Sequence, residues 1–118
     1  RAMAVAGIAA RRDPDTSVEL IILVLEDKKS LVRRRACEAA GACVPREHFS
    51  IDKICGLLGH LLMDDESRLV RLEAVRALGE LGSPTDLKRL DKALSHELDD
   101  DVRDALKAAK KTIQSRDG

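Results

Sequence analysis

Three fourteen-residue segments of this chain superimpose on one another: SLVRRRACEAAGAC (30–43), RLVRLEAVRALGEL (68–81) and DDVRDALKAAKKTI (100–113). Each carries Val-Arg near its start, as Val32-Arg33, Val70-Arg71 and Val102-Arg103, at spacings of 38 and 32 residues. A fourth, truncated copy, RAMAVAGIAA, aligns its Gly7 with Gly41 and Gly79. Self-similarity at a period of about 20–50 residues constrains a fold more than any local motif. A unit that short cannot bury its apolar face alone and must stack on its neighbours.

Within each copy small or apolar residues recur at offsets 0, +4, +7 and +11 from the valine. They are Val32, Ala36, Ala39 and Cys43, then Val70, Ala74, Ala77 and Leu81, then Val102, Leu106, Ala109 and Ile113. That is one stripe of a helix with 3.6 residues per turn, and its alanines let two helices approach closely. A second set of amphipathic segments alternates with these: TSVELIILVLED after Pro14, SIDKICGLLGHLLMDD from Ser50, and SPTDLKRLDKALSHE after Gly82. Their apolar positions are Val18, Ile21, Ile22 and Leu25, then Ile51, Ile54, Leu58, Leu61 and Leu62, then Leu87, Leu90 and Leu94. Thr16 or Ser17, Ser50, and Ser83 with Pro84 are the expected N-terminal caps. Gly41, Gly79 and Gly82 are expected at helix C-termini, where a left-handed residue suits glycine. No stretch reads as a strand. The pattern predicts an all-α, right-handed α-solenoid of about three helix pairs (A, then B) preceded by a truncated N-terminal helix. The chain reads as a single repeat domain over 1–118, with repeats near 1–13 (partial), 14–44, 45–82 and 83–115, and as part of something longer.

Composition agrees and excludes other classes. One Phe, no Tyr and no Trp leave a core of Ala, Leu, Val and Ile, and remove stacking platforms for bases or sugars and aromatic cages. Lys and Arg number 21, as do Asp and Glu, for a net charge of +0, which argues against a general nucleic-acid or membrane-surface binder. No apolar run approaches the ~20 residues of a membrane span. Cys37, Cys43 and Cys55 are odd in number and irregular in spacing. They suggest no disulfide framework and point to a reducing intracellular compartment, the cytoplasm.

The signatures D-x5-R and VR-x2-A-x2-AL-x2-L, best seen in DDESRLVRLEAVRALGELGSP (64–84), resemble HEAT repeats, of the short kind also found in bilin lyases. The resemblance spans residues 16–113. VPREHFS (44–50) departs from it by lengthening one connection, and Lys110-Lys111 stands where the preceding copy has Leu78-Gly79, as a polar cap on an array would. The resemblance implies a ladder between turn acids and arginines early in the B helices: Asp27 with Arg33, Asp65 with Arg71, and Glu97 with Arg103, with Asp99 as a substitute acid.

Candidate chemistry is sparse. Glu47-His48 and His96-Glu97 echo the His-Glu pairs of deoxyhypusine hydroxylase, a di-iron enzyme of similar repeats. In that family the pairs lie just after Val-Arg, where this chain has Arg34-Arg35, Leu72-Glu73 and Asp104-Ala105. Cys43, His48, Cys55 and His60 form a C-x4-H-x6-C-x4-H array, unlike zinc-finger spacing, and both cysteines fit apolar stripes. No cysteine has a recognisable base or oxyanion turn beside it. The reading is therefore non-catalytic, with no cofactor and no metal: a protein-interaction or scaffolding module that docks a helix or peptide on the B-helix face. The residues expected to carry docking are Arg34, Arg35, Glu38, Leu72, Glu73, Arg76 and Glu80, with Leu72 as an exposed apolar anchor among charges paired along the helices (Arg35–Glu38, Glu73–Arg76, Arg76–Glu80). The alternatives are an accessory domain supporting a neighbouring catalytic domain, a component of a large assembly, and, more remotely, an enzyme of the bilin-lyase or di-iron hydroxylase type. Residues 1–50 carry a charge of +2 and residues 51–118 a charge of −2, so the edge of turns is expected to run from basic (Lys28, Lys29, Arg33 to Arg35) to acidic. Ala2, Val5 and Ile8 of the truncated helix are expected to drive self-association.

Overall fold

The structure is a computed structural model and describes residues 14–117. These form six α-helices: α1 (Pro14–Val24), α2 (Ser30–Cys43), α3 (Ile51–Asp64), α4 (Arg68–Leu81), α5 (Leu87–His96) and α6 (Asp100–Asp117). A 3-10 turn, Pro84–Asp86, leads into α5. The chain is an all-α repeat solenoid whose A helices are α1, α3 and α5 and whose B helices are α2, α4 and α6. Each A helix packs on its own B helix, and α4 lies between α2 and α6. No strand and no helix able to span a membrane occurs among the described residues. The truncated helix expected at the N-terminus, with Ala2, Val5 and Ile8, lies outside them.

The core follows the stripe. Every residue at offsets 0, +4, +7 and +11 is buried except Cys43, which is half-buried at the end of α2. From the A helices, Val18, Ile21, Ile54, Leu58, Leu62 and Leu90 join it, with Leu25 just past the end of α1. At roughly 1.5–3 kcal/mol for each fully buried aliphatic side chain, this continuous seam is the main source of stability. With no Tyr or Trp in the chain and Phe49 exposed, alanines and glycines carry the close contacts between B helices.

The helix ends differ from expectation in instructive ways. Ser67 caps α4 by accepting from the Val70 N–H at 3.4 Å, and Asp99 does the same for α6 with Val102 at 3.0 Å. The equivalent residue of α2 is Lys29, whose side chain cannot accept. Ser50 makes no side-chain cap. Before α5, the Asp86 carboxylate reaches back to accept from the Ser83 N–H at 2.9 Å.

Gly41 and Gly79 are not helix terminators. Both sit inside helices, and no described glycine has a positive φ. What they provide is proximity. A Cβ on Gly41 would lie 3.2 Å from the Ala77 Cα, and one on Gly79 would lie 3.4 Å from the Ala109 Cβ. The same pair of offsets, +9 against +7, therefore joins α2 to α4 and α4 to α6. In α6 offset +9 is the exposed Lys111, so the outer side of the third B helix does not offer this glycine contact.

Candidate partner-docking groove

Close packing at Gly41–Ala77 and Gly79–Ala109 leaves a furrow on the solvent side of the B layer, because the side chains at the seam are too small to fill it. The furrow is an open groove of about 1040 Å³. Its small lining residues are Gly41, Ala42, Ala77, Gly79, Ala105, Ala108 and Ala109. Its charged groups are Glu38 from α2, Glu73, Arg76 and Glu80 from α4, and Asp101 and Asp104 from α6. Leu72 and Thr112 also line it.

Five of the seven residues singled out from sequence thus come together: Glu38, Leu72, Glu73, Arg76 and Glu80. Arg34 and Arg35 do not line the groove. Leu72 is not an exposed anchor. It is half-buried and packs against the core, so its apolar surface is largely committed to the fold. The internal pairing is also different. Arg76 donates to Glu73 at 2.7 Å, as the spacing suggested. Glu38, however, faces the Arg34 Nε at 3.6 Å rather than Arg35, and no ion pair joins Arg76 to Glu80 among the described residues.

Asp101, Asp104, Ala105, Ala108 and Thr112 of α6 were not anticipated. Their signal was present in the repeat itself. Ala105 and Ala108 occupy the offsets, +3 and +6, of Arg35 and Glu38 in the first copy and of Glu73 and Arg76 in the second. Asp104 matches Leu72.

Away from the groove, along the edge of turns, acids and arginines form a ladder. Arg33 donates from Nε and Nη2 to the Asp65 carboxylate at 2.7 and 3.1 Å, and from Nη1 to the Asp27 and Lys28 carbonyls at 2.9 Å each. Arg71 repeats the arrangement one step on. It donates to Glu97 at 2.9 and 3.4 Å and to the Asp65 and Glu66 carbonyls at 2.8 and 3.2 Å. Each arginine therefore meets its own turn through backbone carbonyls and the next turn through a carboxylate, so the pairs run between repeats: Arg33–Asp65 and Arg71–Glu97. Arg103 keeps the first half of the pattern, donating to Leu94 and Glu97 carbonyls at 2.7 and 3.0 Å. Arg68 adds an outer rung to Asp99 at 2.7 Å and Asp101 at 2.8 Å. This rung holds the Asp99 carboxyl down at about 2, and the hydrogen bond from Arg68 is the main cause. The hydrogen bond to Asp65 raises Arg33 further above its already high value.

The remaining candidates do not converge. Among the described residues no three His, Cys, Asp or Glu side chains are placed to share a metal ion. Cys37 and Cys55 are buried, and desolvation pushes both thiols up, that of Cys55 to about 12. Neither is a ready nucleophile or ligand, since the thiolate is the reactive form. His48 accepts from the Ser50 N–H at Nδ1 and stacks on Phe49 with ring centroids 4.4 Å apart. His60 lies 3.3 Å from Asp64, and His96 donates from Nδ1 to the Lys92 carbonyl at 2.9 Å.

A family model for HEAT repeats matches residues 47–110, which takes in α3 to α5 and most of α6. Neither the curated proteins nor the solved structures contain a significant match.

Proposed function

The chain belongs to the HEAT-repeat family, and from this premise we propose that it is a non-catalytic protein-interaction module that docks a partner segment in the groove on α2, α4 and α6. HEAT repeats generally mediate protein–protein interaction or scaffolding and are typically non-catalytic. The single observation that carries the finer reading is the groove. It is larger than most small-molecule sites, open along its length and floored by alanine and glycine, so a polypeptide backbone can approach closely. The proposed contact residues are Glu38, Leu72, Glu73, Arg76 and Glu80 with Asp101, Asp104 and Ala108. Arg34 reaches the site only through its pairing with Glu38, and Arg35 is left out. The repeats then divide near 14–44, 45–82 and 83–115.

The second reading, a structural segment within a larger array, is favoured by Arg103. Its counterparts Arg33 and Arg71 each hold a carboxylate of the following turn, and among the described residues Arg103 holds only carbonyls of its own repeat.

The test uses two exposed alanines at the groove, Ala42 and Ala108. Peptides selected from an unbiased displayed library on the wild-type chain are re-measured on Ala42→Gln plus Ala108→Gln, which fills the groove without adding charge. Loss of binding with an unchanged thermal transition supports groove docking. Binders indifferent to the double variant refute it.

A further inference from the structure

We infer that the occupant of the groove is a cationic helix whose Lys or Arg side chains are spaced about two turns apart on a face otherwise made of small residues; this rests on the groove-docking reading. The charges lining the groove are unequal: five carboxylates against one guanidinium. Arg76 is engaged by Glu73, Asp101 shares Arg68, and Glu38 lies beside Arg34. After these pairings, Glu80 and Asp104 have no cationic partner among the described residues, and both are exposed. The lining thus presents uncompensated negative charge above a neutral, shallow floor, in a chain whose net charge is zero.

The geometry adds a spacing. Glu80 is at offset +10 of α4 and Asp104 at offset +2 of α6. Gly79 at +9 meets Ala109 at +7, the half-turn difference that residues on facing sides of two helices in register have. Eight offsets at 1.5 Å of rise per residue put the two positions roughly 12 Å apart along the axis, close to two helical turns. A docking helix with basic residues at i and i+7 presents its charges at that interval and on one face. Its intervening residues must be small, because the floor of Ala42, Ala105 and Ala108 leaves no deep pocket for a large anchor. An aromatic anchor would find no ring to pack on, since the described lining has none. Charge complementarity of this kind chiefly sets partner choice and association rate.

The experiment uses the full 118-residue chain and a fluorescein-labelled, alanine-rich helical peptide of about 18 residues, about 27 Å long, with Lys at i, i+7 and i+14. A twin peptide carries Glu at the same positions. Fluorescence anisotropy is read at about 50 mM and about 300 mM salt, where screening differs strongly. The Lys peptide is expected to bind and to weaken at high salt, and the Glu peptide to bind at least about tenfold more weakly. Glu80→Lys plus Asp104→Lys should reverse that order, and Arg76→Gln should tighten the Lys peptide. A groove that recognises only shape would show neither effect.

Equal binding of the two peptides overturns the inference, as does an unreversed order in the charge-swapped variant or no binding of either peptide. The library described above separates this failure from failure of the docking reading. Binders lost on Ala42→Gln plus Ala108→Gln but not enriched in Lys or Arg overturn the cationic occupant and leave the groove standing. Binders indifferent to that variant overturn both.

Discussion

Replacing Asp65 by alanine tests whether the repeats are coupled through their ladder or only through apolar packing. The Asp65 carboxylate, 3% exposed, accepts three hydrogen bonds: two from Arg33 at 2.7 and 3.1 Å and one from the Ser67 N–H at 2.9 Å. Removing it leaves a guanidinium that is 13% exposed without its fork partner, and unmakes the turn that sets up the α4 cap. Breaking one side of a buried pair costs about 3–5 kcal/mol. Arg33 keeps its bonds to two carbonyls, so the low end, about 3 kcal/mol, is expected. That is a large share of the roughly 5–15 kcal/mol available to a domain. With a urea slope near 1.5 kcal/mol/M, the midpoint followed by circular dichroism should fall by about 2 M. Asp65→Asn keeps an acceptor for Ser67 and loses the charge, so it should fall between wild type and Asp65→Ala. Asp101→Ala is the control: its partner Arg68 is 44% exposed and Asp101 itself 72%, and such a pair contributes little, under about 1 kcal/mol. Because neighbours hold a repeat array together, the slope for Asp65→Ala should also fall as the first pair unfolds ahead of the rest. If Asp65→Ala shifts the midpoint no more than Asp101→Ala does, the ladder does not couple the repeats.

Four further outcomes are expected. Gly56→Ala should raise stability by about 0.5–1 kcal/mol, because a helix gains and a new Cβ meets only the Arg89 guanidinium at 3.8 Å, whereas Gly41→Leu should unfold the array, since Ala77 backbone lies at 3.2 Å; both are read from thermal melts. Lys29→Ser should add about 0.5–1 kcal/mol in the same assay by giving α2 the side-chain cap it lacks. The Asp99 carboxyl is depressed in the folded state, so what it contributes is present above its ordinary value of 3.8 and fades as pH falls toward about 2; an NMR titration should place it near 2, and Arg68→Gln should move it back up. Cys37 and Cys55 should react with a disulfide reagent at pH 8 no faster than the protein opens, because both thiols are buried and held protonated; fast labelling of either would contradict that burial.

How much of this was legible in the sequence depends on what kind of interaction decides each feature. The stripe at 0, +4, +7 and +11 identified the core because burial obeys helical periodicity, a property of a single helix that local sequence carries in full. Cys43 escapes only because α2 ends there. Gly41 and Gly79 read as helix ends because they stand near the ends of apolar runs, yet their role is set by neighbours 36 and 30 residues away. Only the joint pattern, glycine at +9 against alanine at +7 in the next copy, reveals it. The ladder shows the same shift from within a repeat to between repeats. Spacing of six pairs Asp65 with Arg71, and Arg71 does reach that residue, but through its carbonyl. The carboxylate goes to Arg33 of the previous copy.

The groove follows from which side of each B helix meets its neighbour. Read by offset alone, +3 and +6 would place Arg35 beside Glu73 and Glu38 beside Arg76, and the face would be a self-neutralising lattice. The lining instead takes the side of α2 that faces α4, from Cys37 onward, and the opposite side of α6, from Asp101 onward, which leaves Arg34 and Arg35 outside it and brings Asp101 and Asp104 in. The same small residues that make the solenoid pack closely thus also bring the charges of α2, α4 and α6 onto one open face. Enlarging Gly41 should therefore change not only stability but the charge preference of the groove. In a Gly41→Ala chain that still folds, the α2–α4 seam must give by a few tenths of an ångström, because the new Cβ would lie 3.2 Å from the Ala77 Cα, with the Glu80 side chain at 3.9 Å. The discrimination between Lys and Glu peptides should then shrink more than the Ala42→Gln plus Ala108→Gln sensitivity does. Discrimination that stays unchanged while the seam is wedged apart would show that the seam does not set the field.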